Sequence, residues 1–252
     1  LNDAIDTKLD DLKTINDFKT TQINDWLNER LADARHFSTS PLYADAICLA
    51  LNGTRSTPDM VLKISDRNEM IRSLRGFSDV QIVSWQHQLM YSTDNTFRSL
   101  HDHLLPMVDS CLRSSRILLT HLVVPSAKSF ICTLSPITTS DGQTCAVMVF
   151  YINPETYIYP TLGFKPSDMK GLTSALVDLD LIDDVDSLKN HPYYRAIAHG
   201  DGQYFGADLH GDDIMAFYRP LGNAPWVVVS SLPVRQIRNE FYKEYAPIFF
   251  IQ

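Results

Sequence analysis

The first 37 residues read as one unbroken amphipathic helix, and no other feature of the chain limits its fold as much. Ile5, Leu9, Leu12, Ile15, Phe18, Ile23, Trp26, Leu27, Leu31, Ala34 and Phe37 recur mostly at steps of three or four, along one stripe. Asn2 or Asp3 caps the start. Ser38-Thr39-Ser40-Pro41 ends it, because proline disfavours helical backbone at the residue before it. At ~1.5 Å per residue such a helix is about 55 Å long. A single compact domain built from the whole chain would be roughly 45 Å across. The helix must therefore run beside more than one domain, pair with a second copy, or both.

Composition narrows the class. With 252 residues, 44% hydrophobic and 21% charged, the chain can bury a core and form one large or two small domains. A net charge of -8, a pI near 5.4 and the lack of a basic cluster argue against nucleic acid or anionic membrane as main partner. There is no Gly-rich phosphate loop, GxSxG elbow or HExxH, so no catalytic residue and no cofactor is expected. His101-Asp102-His103, with Asp109 near, is the best metal cluster; it reads as loop residues, and no metal site is expected. Asp178, Asp180, Asp183, Asp184 and Asp186 lack the Gly and Glu of a calcium loop and read as a solvated turn. Cys48, Cys111, Cys132 and Cys145 show neither CxxC nor metal spacing, and their apolar surroundings read as buried thiols rather than disulfides. The start at Leu1 and the apolar run at the other end read as a processed piece, with 247–252 the first turn of a transmembrane segment.

Past the spine, helices are expected over Tyr43–Leu51 and Pro58–Leu74, and strands over Asp79–Trp85 and Gln88–Ser92. A mixed, partly helical stretch follows from Phe97 to Leu112. Three strands come next: Arg116–Val124, Ser129–Ile137 and, after the turn Ser140-Asp141-Gly142, Thr144–Ile152. Beyond Gly163 the pattern gives a strand over Ser174–Asp180 and a short helix over Ser187–Ala198. Strands over Gln203–Leu209, Asp213–Tyr218 and Trp226–Ser231 complete it. Both parts close alike, with a strand, a Pro (Pro136, Pro220), a polar turn, a second strand and another Pro (Pro154, Pro233). This predicts an α+β fold: a long N-terminal helix, then two tandem PAS-like modules with antiparallel sheets. Its parts are a spine over 1–40, a first module over 41–162, a second over 163–246 and the membrane stub.

The spine segment Ile23–Ala34, the first-module end Phe150-Tyr151-Ile152-Asn153-Pro154-Glu155 with Tyr157–Pro160, and the second-module end Phe217–Leu221 to Pro225–Val229 resemble the double Cache (tandem PDC) sensor domains of bacterial membrane receptors. The resemblance spans nearly the whole chain. It implies a periplasmic or extracellular domain of an inner-membrane protein, flanked by membrane helices. It also implies a cytoplasmic output, a histidine kinase first and a diguanylate cyclase next. The Tyr-then-Arg-x-Trp-Tyr pattern of the amino-acid-binding subset is absent: Trp85 has no Arg two residues before it. A structural spacer with no small-molecule ligand is the alternative.

Polar and aromatic side chains crowd the first module. Trp85, Tyr91, Arg98, Arg116, His121 and Tyr151 are the candidate ligand residues, in a pocket between the 85–98 segment and the 116–124 strand. Arg116 suits an anionic group, since its planar fork makes two-point contact with a carboxylate. Ile5, Leu9, Leu12 and Ile15 are the candidate interface of a weak, parallel homodimer.

Overall fold

A computed structural model of the protein describes residues 2–51, 58–94, 99–123, 129–179, 200–208 and 211–239. Helix α1 runs unbroken from Asn2 to Ser38. Its fully buried positions are Leu12, Asn16, Lys19, Ile23, Leu27, Ala34 and Ser38, at steps of three, four or seven, so one face is buried along most of its length. The last turn closes on itself, with Thr39 donating from both its amide and its hydroxyl to the Arg35 carbonyl at 3.1 and 2.7 Å. Helix α2 then opens at Pro41 (Pro41–Leu51), where a missing N–H costs nothing.

The chain forms two compact units: 27–154, and 1–26 together with 155–252. In the first, α2 and α3 (Pro58–Arg75) precede β1 (Asp79–Ser84) and β2 (Leu89–Ser92). A 3-10 turn and α4 (Leu105–Ser114) follow, then β3 (Leu118–Val123), β4 (Ser129–Thr138) and β5 (Thr144–Ile152). The sheet is antiparallel throughout, in the order β2-β1-β5-β4-β3. Alternation splits its side chains. Val83, Cys132, Leu134, Val147, Val149 and Tyr151 pack under Leu104, Val108 and Cys111 from α4 and the turn before it. On the opposite face Phe150 meets Phe77 at the end of α3, ring centroids 5.0 Å apart. With helices on both faces β5 is buried nearly end to end, which is why it reads as an unbroken apolar run.

The second unit holds α5 (Ile158–Gly163) and β6 (Thr173–Asp178), β7 (Gly202–Ala207), β8 (Asp213–Pro220) and β9 (Trp226–Pro233), ordered β6-β9-β8-β7. This repeats β1-β5-β4-β3, so the duplication seen in the sequence is one of topology. The paired prolines share a cause. Pro136 on β4 lies beyond the last β3 partner, Leu118↔Leu134, and Pro220 on β8 lies beyond the last β7 partner, Gly202↔Tyr218. At both, the strand has lost its outer neighbour, so no ladder needs the missing N–H.

Two sequence expectations are corrected. Cys48 on α2 and Cys145 on β5 form a disulfide, with Cα atoms 5.7 Å apart. Reading each cysteine only against its chain neighbours overlooked a pairing between elements far apart in sequence. Cys111 and Cys132 are buried thiols, as expected, and burial pushes the Cys111 thiol up to about 12. Leu12 does not offer a dimer surface. It is fully buried among Met169, Leu172, Met215, Phe217 and Leu232, with Ile5, Leu9 and Ile15 packed against the same core. The membrane stub and the helix expected over Ser187–Ala198 lie outside the described residues, and no described helix is long and apolar enough to cross a membrane.

Candidate functional site

Two cavities of the first module are lined by described residues. Because β3 begins only at Leu118, residues 135–138 of β4 extend past it with no neighbour on that side. The chain reaches β3 through Ser115, whose left-handed backbone (φ 51°) ends α4, and then Arg116. Between this approach and the last turn of α1 lies a polar cleft of about 410 Å³, lined by Arg35, Thr39, Ser115, Arg116, Ser135 and Thr138. The Ser135 hydroxyl meets that of Ser38 at 2.7 Å, which fixes the end of α1 over β4. No carboxylate lines the cleft among the described residues.

The second cavity, about 140 Å³, is apolar and lined by Ile47, Leu51, Val61, Ile82, Met90 and Tyr91. The Tyr91 hydroxyl closes one end by donating to the Ser65 carbonyl of α3 at 3.2 Å. Helix α2, which forms part of the wall, is held by the disulfide and by Asp45, which accepts from the Ser140 amide at 3.0 Å.

A buried polar cluster lies on the α4 face of β1. Tyr151 donates to Gln81 Oε1 at 3.0 Å, and Gln81 Nε2 donates to Asp79 Oδ2 at 2.9 Å. Asp79 is fully buried, and also accepts from Ser92 Oγ, Thr93 Oγ1 and the Asp94 amide at 2.7–2.9 Å. Four donors replace the water that this carboxylate has lost. Burial, helped by Cys132 and Asp79, holds the Tyr151 phenol above its ordinary range.

The sequence candidates are thus dispersed. Trp85 is exposed in the β1–β2 turn, Tyr91 is on edge strand β2, and Tyr151 is inside the sheet. His121 is on the opposite edge strand, β3, with its Nε2 against Ser129 Oγ. Strands β2 and β3 stand four ladder steps apart, about 19 Å at ~4.8 Å per step. Tyr91 and the 116–124 strand therefore stand at opposite edges of one sheet, with β1, β5 and β4 between them. Arg98 lies outside the described residues, as do Tyr193, Tyr194 and Arg195 of the second module. Of the acidic and histidine residues weighed as a metal cluster, Asp109 instead meets His87 Nε2 at 2.7 Å. Sequence reasoning missed Arg35, because it read α1 only as a spine. The signal was a basic residue at the very end of that helix, where the chain turns back onto the sheet.

The second module encloses its own polar line. Asn16 Nδ2 donates to the carbonyls of Phe217 and Val228, each at 3.1 Å, and lies 3.2 Å from Ser230 Oγ. Ser230 meets Ser174, and Ser174 accepts from the fully buried Lys19, whose ammonium also donates to the Leu162 carbonyl at 2.7 Å. Burial, with Lys165 nearby, lowers the Lys19 pKa to about 8.

No protein-family model and no curated protein matches the chain. Solved structures do. The sensory domain of the Campylobacter jejuni chemoreceptor Tlp3 is 10% identical, with a TM-score of 0.64 over 94% of this chain and 98% of that one. The sensor domain of the V. cholerae histidine kinase DctB is 11% identical, with a TM-score of 0.65 over 90% and 98%. The ligand-binding domain of the Pseudomonas aeruginosa amino acid chemoreceptor PctB, in complex with L-Arg, is 14% identical, with a TM-score of 0.66 over 94% and 92%. The chain therefore has the fold of the sensory domains of bacterial chemoreceptors and histidine kinases, the one that the resemblance to double Cache domains implied.

Proposed function

We propose that this chain is the extracytoplasmic, ligand-receiving part of a membrane signalling receptor, whose cytoplasmic output is a histidine kinase or, next, a diguanylate cyclase. The observation that carries the reading is the pair of matching modules on one continuous helix, shared over at least 90% of the chain with sensory domains of that kind. The Cys48–Cys145 disulfide supports an oxidising compartment, the periplasm or cell exterior. A small molecule bound in the first module would act by favouring one arrangement of α1 over another, since a ligand shifts an equilibrium only by its differential affinity. Arg116 and Tyr91 are carried forward as ligand contacts because each lines a cavity. Arg98, Trp85, His121 and Tyr151 are carried forward as positions whose substitution the binding assay should include. Weak pairing of two copies along α1 belongs to the same reading, with sedimentation at high concentration as its check.

The test is a thermal-shift screen of carboxylates, amines and amino acids. The chain, joined through its own membrane helices or those of a characterised receptor, is then fused to a kinase output. A compound that raises the melting temperature should also change phosphorylation in the fusion. Fusions that ignore every stabilising compound would overturn the reading in favour of a structural spacer.

A further inference from the structure

We propose that the cleft at the uncovered end of β4 binds a small oxyanion carrying two negative charges, held between Arg35 and Arg116. The proposal takes from the sensor reading only that the first module receives a ligand; its chemistry stands on the residues themselves. Both arginines line one cavity, and its volume of about 410 Å³ lies within the ~300–1,000 Å³ usual for small-molecule sites. Several other arginines of this acidic chain find carboxylates. Arg30 and Arg75 reach Asp33 at 3.3 Å, Arg219 reaches Asp17 at 2.7 Å, and Arg72 pairs with Glu69. Arg35 and Arg116 have none within 4.0 Å among the described residues, although the chain has eight more negative than positive charges. Two positive charges facing one cavity without internal compensation favour an anion with two acceptor groups over a neutral or singly charged ligand.

The hydroxyl rim can add a donor. Ser115 Oγ and Thr138 Oγ1 both contact Thr144 Oγ1, at 3.2 and 3.1 Å. Three hydroxyl protons serve two contacts, so one proton is left for a further acceptor. One effect opposes binding: Arg35 stands on the last turn of α1, at the negative end of the helix dipole. That end carries roughly half an elementary charge, against two full positive charges, so attraction wins. The same placement gives the site a consequence. An anion gripped by both arginines ties the end of α1 to the start of β3, so occupancy acts directly on the spine.

Calorimetric titration of the whole chain tests this, with inorganic phosphate, sulfate and succinate as doubly charged probes and acetate as the singly charged one. At least one doubly charged probe should bind, more tightly than acetate. Arg35→Gln and Arg116→Gln should each weaken it tenfold or more. Arg113→Gln, an exposed arginine that does not line the cleft, should leave it unchanged. Both cleft arginines are exposed and hold no structural ion pair, so the variants should melt as the parent does. Failure of every doubly charged probe, unchanged affinity in both cleft variants, or an equal loss in Arg113→Gln would overturn the proposal. A compound that drives the kinase fusion and binds both cleft variants at full affinity leaves the sensor reading standing and removes this site. Anion binding in the cleft that never alters the fusion's output does the reverse.

Discussion

Tyr151 and Lys19 show how burial alone changes what a polar residue can do. Tyr151 was legible as a residue on a strand, but the sequence does not reveal which face of β5 carries it or that Gln81 accepts its hydrogen bond. Tyr151→Phe leaves Gln81 Oε1 buried without that donor, and should lower unfolding free energy by about 1 kcal/mol in urea titration. A loss near zero would mean that water replaces the bond. Phe18 belongs to the apolar stripe of α1 and Lys19 does not, yet in the fold Lys19 is fully buried and Phe18 is 51% exposed. Summing apolar positions finds the direction of a helix face, but it cannot foresee that serines and a carbonyl on neighbouring elements will accept a buried ammonium. The Lys19 pKa falls from 10.5 to about 8 on folding, so between those values the unfolded chain holds a proton that the folded chain has released. Stability contributed by this residue therefore rises with pH across that window, and below it the charged amine weighs fully against folding. Cys111, raised to about 12 from 9.0, acts in the opposite sense above pH 9 and is common to parent and variant. The difference between parent and Lys19→Met urea curves should isolate the rise, and parallel curves from pH 8 to 10.5 would contradict it.

At the level of elements, the sequence was most legible where period and punctuation agree. The strands opened by turn residues and closed by proline fall within a few residues of their expected ends, and the long helix is continuous. Pairing was less legible. Strand order depends on which edges remain open once helices cover the faces, and no local pattern carries that. The same gap hid the Cys48–Cys145 bridge and the cleft, since each arises from elements brought together only by the sheet. Reducing the disulfide, or making Cys48→Ser with Cys145→Ser, should cost the first module about 2–4 kcal/mol in chemical denaturation. Helix α2 should then show faster amide exchange ahead of the sheet. Unchanged stability in the double serine variant would show that Asp45–Ser140 and packing alone hold α2.

Across the whole molecule, the two modules share the order of four strands yet treat their polar interiors differently. The first surrounds a carboxylate, Asp79, with donors; the second surrounds an ammonium, Lys19, with acceptors. The disulfide also sets a mechanical limit. Its sulfurs join positions 97 residues apart, so a chain stretched from its two ends bypasses everything between Cys48 and Cys145. An oxidised molecule pulled in an optical trap should therefore reach a contour length roughly 330 Å shorter than a reduced one, at ~3.4 Å per residue. Strands β1 to β4 lie within the shielded loop, whereas β5 leaves it after Cys145, so tension carried along the backbone would fall on α1 and on β5 while the other four strands are bypassed.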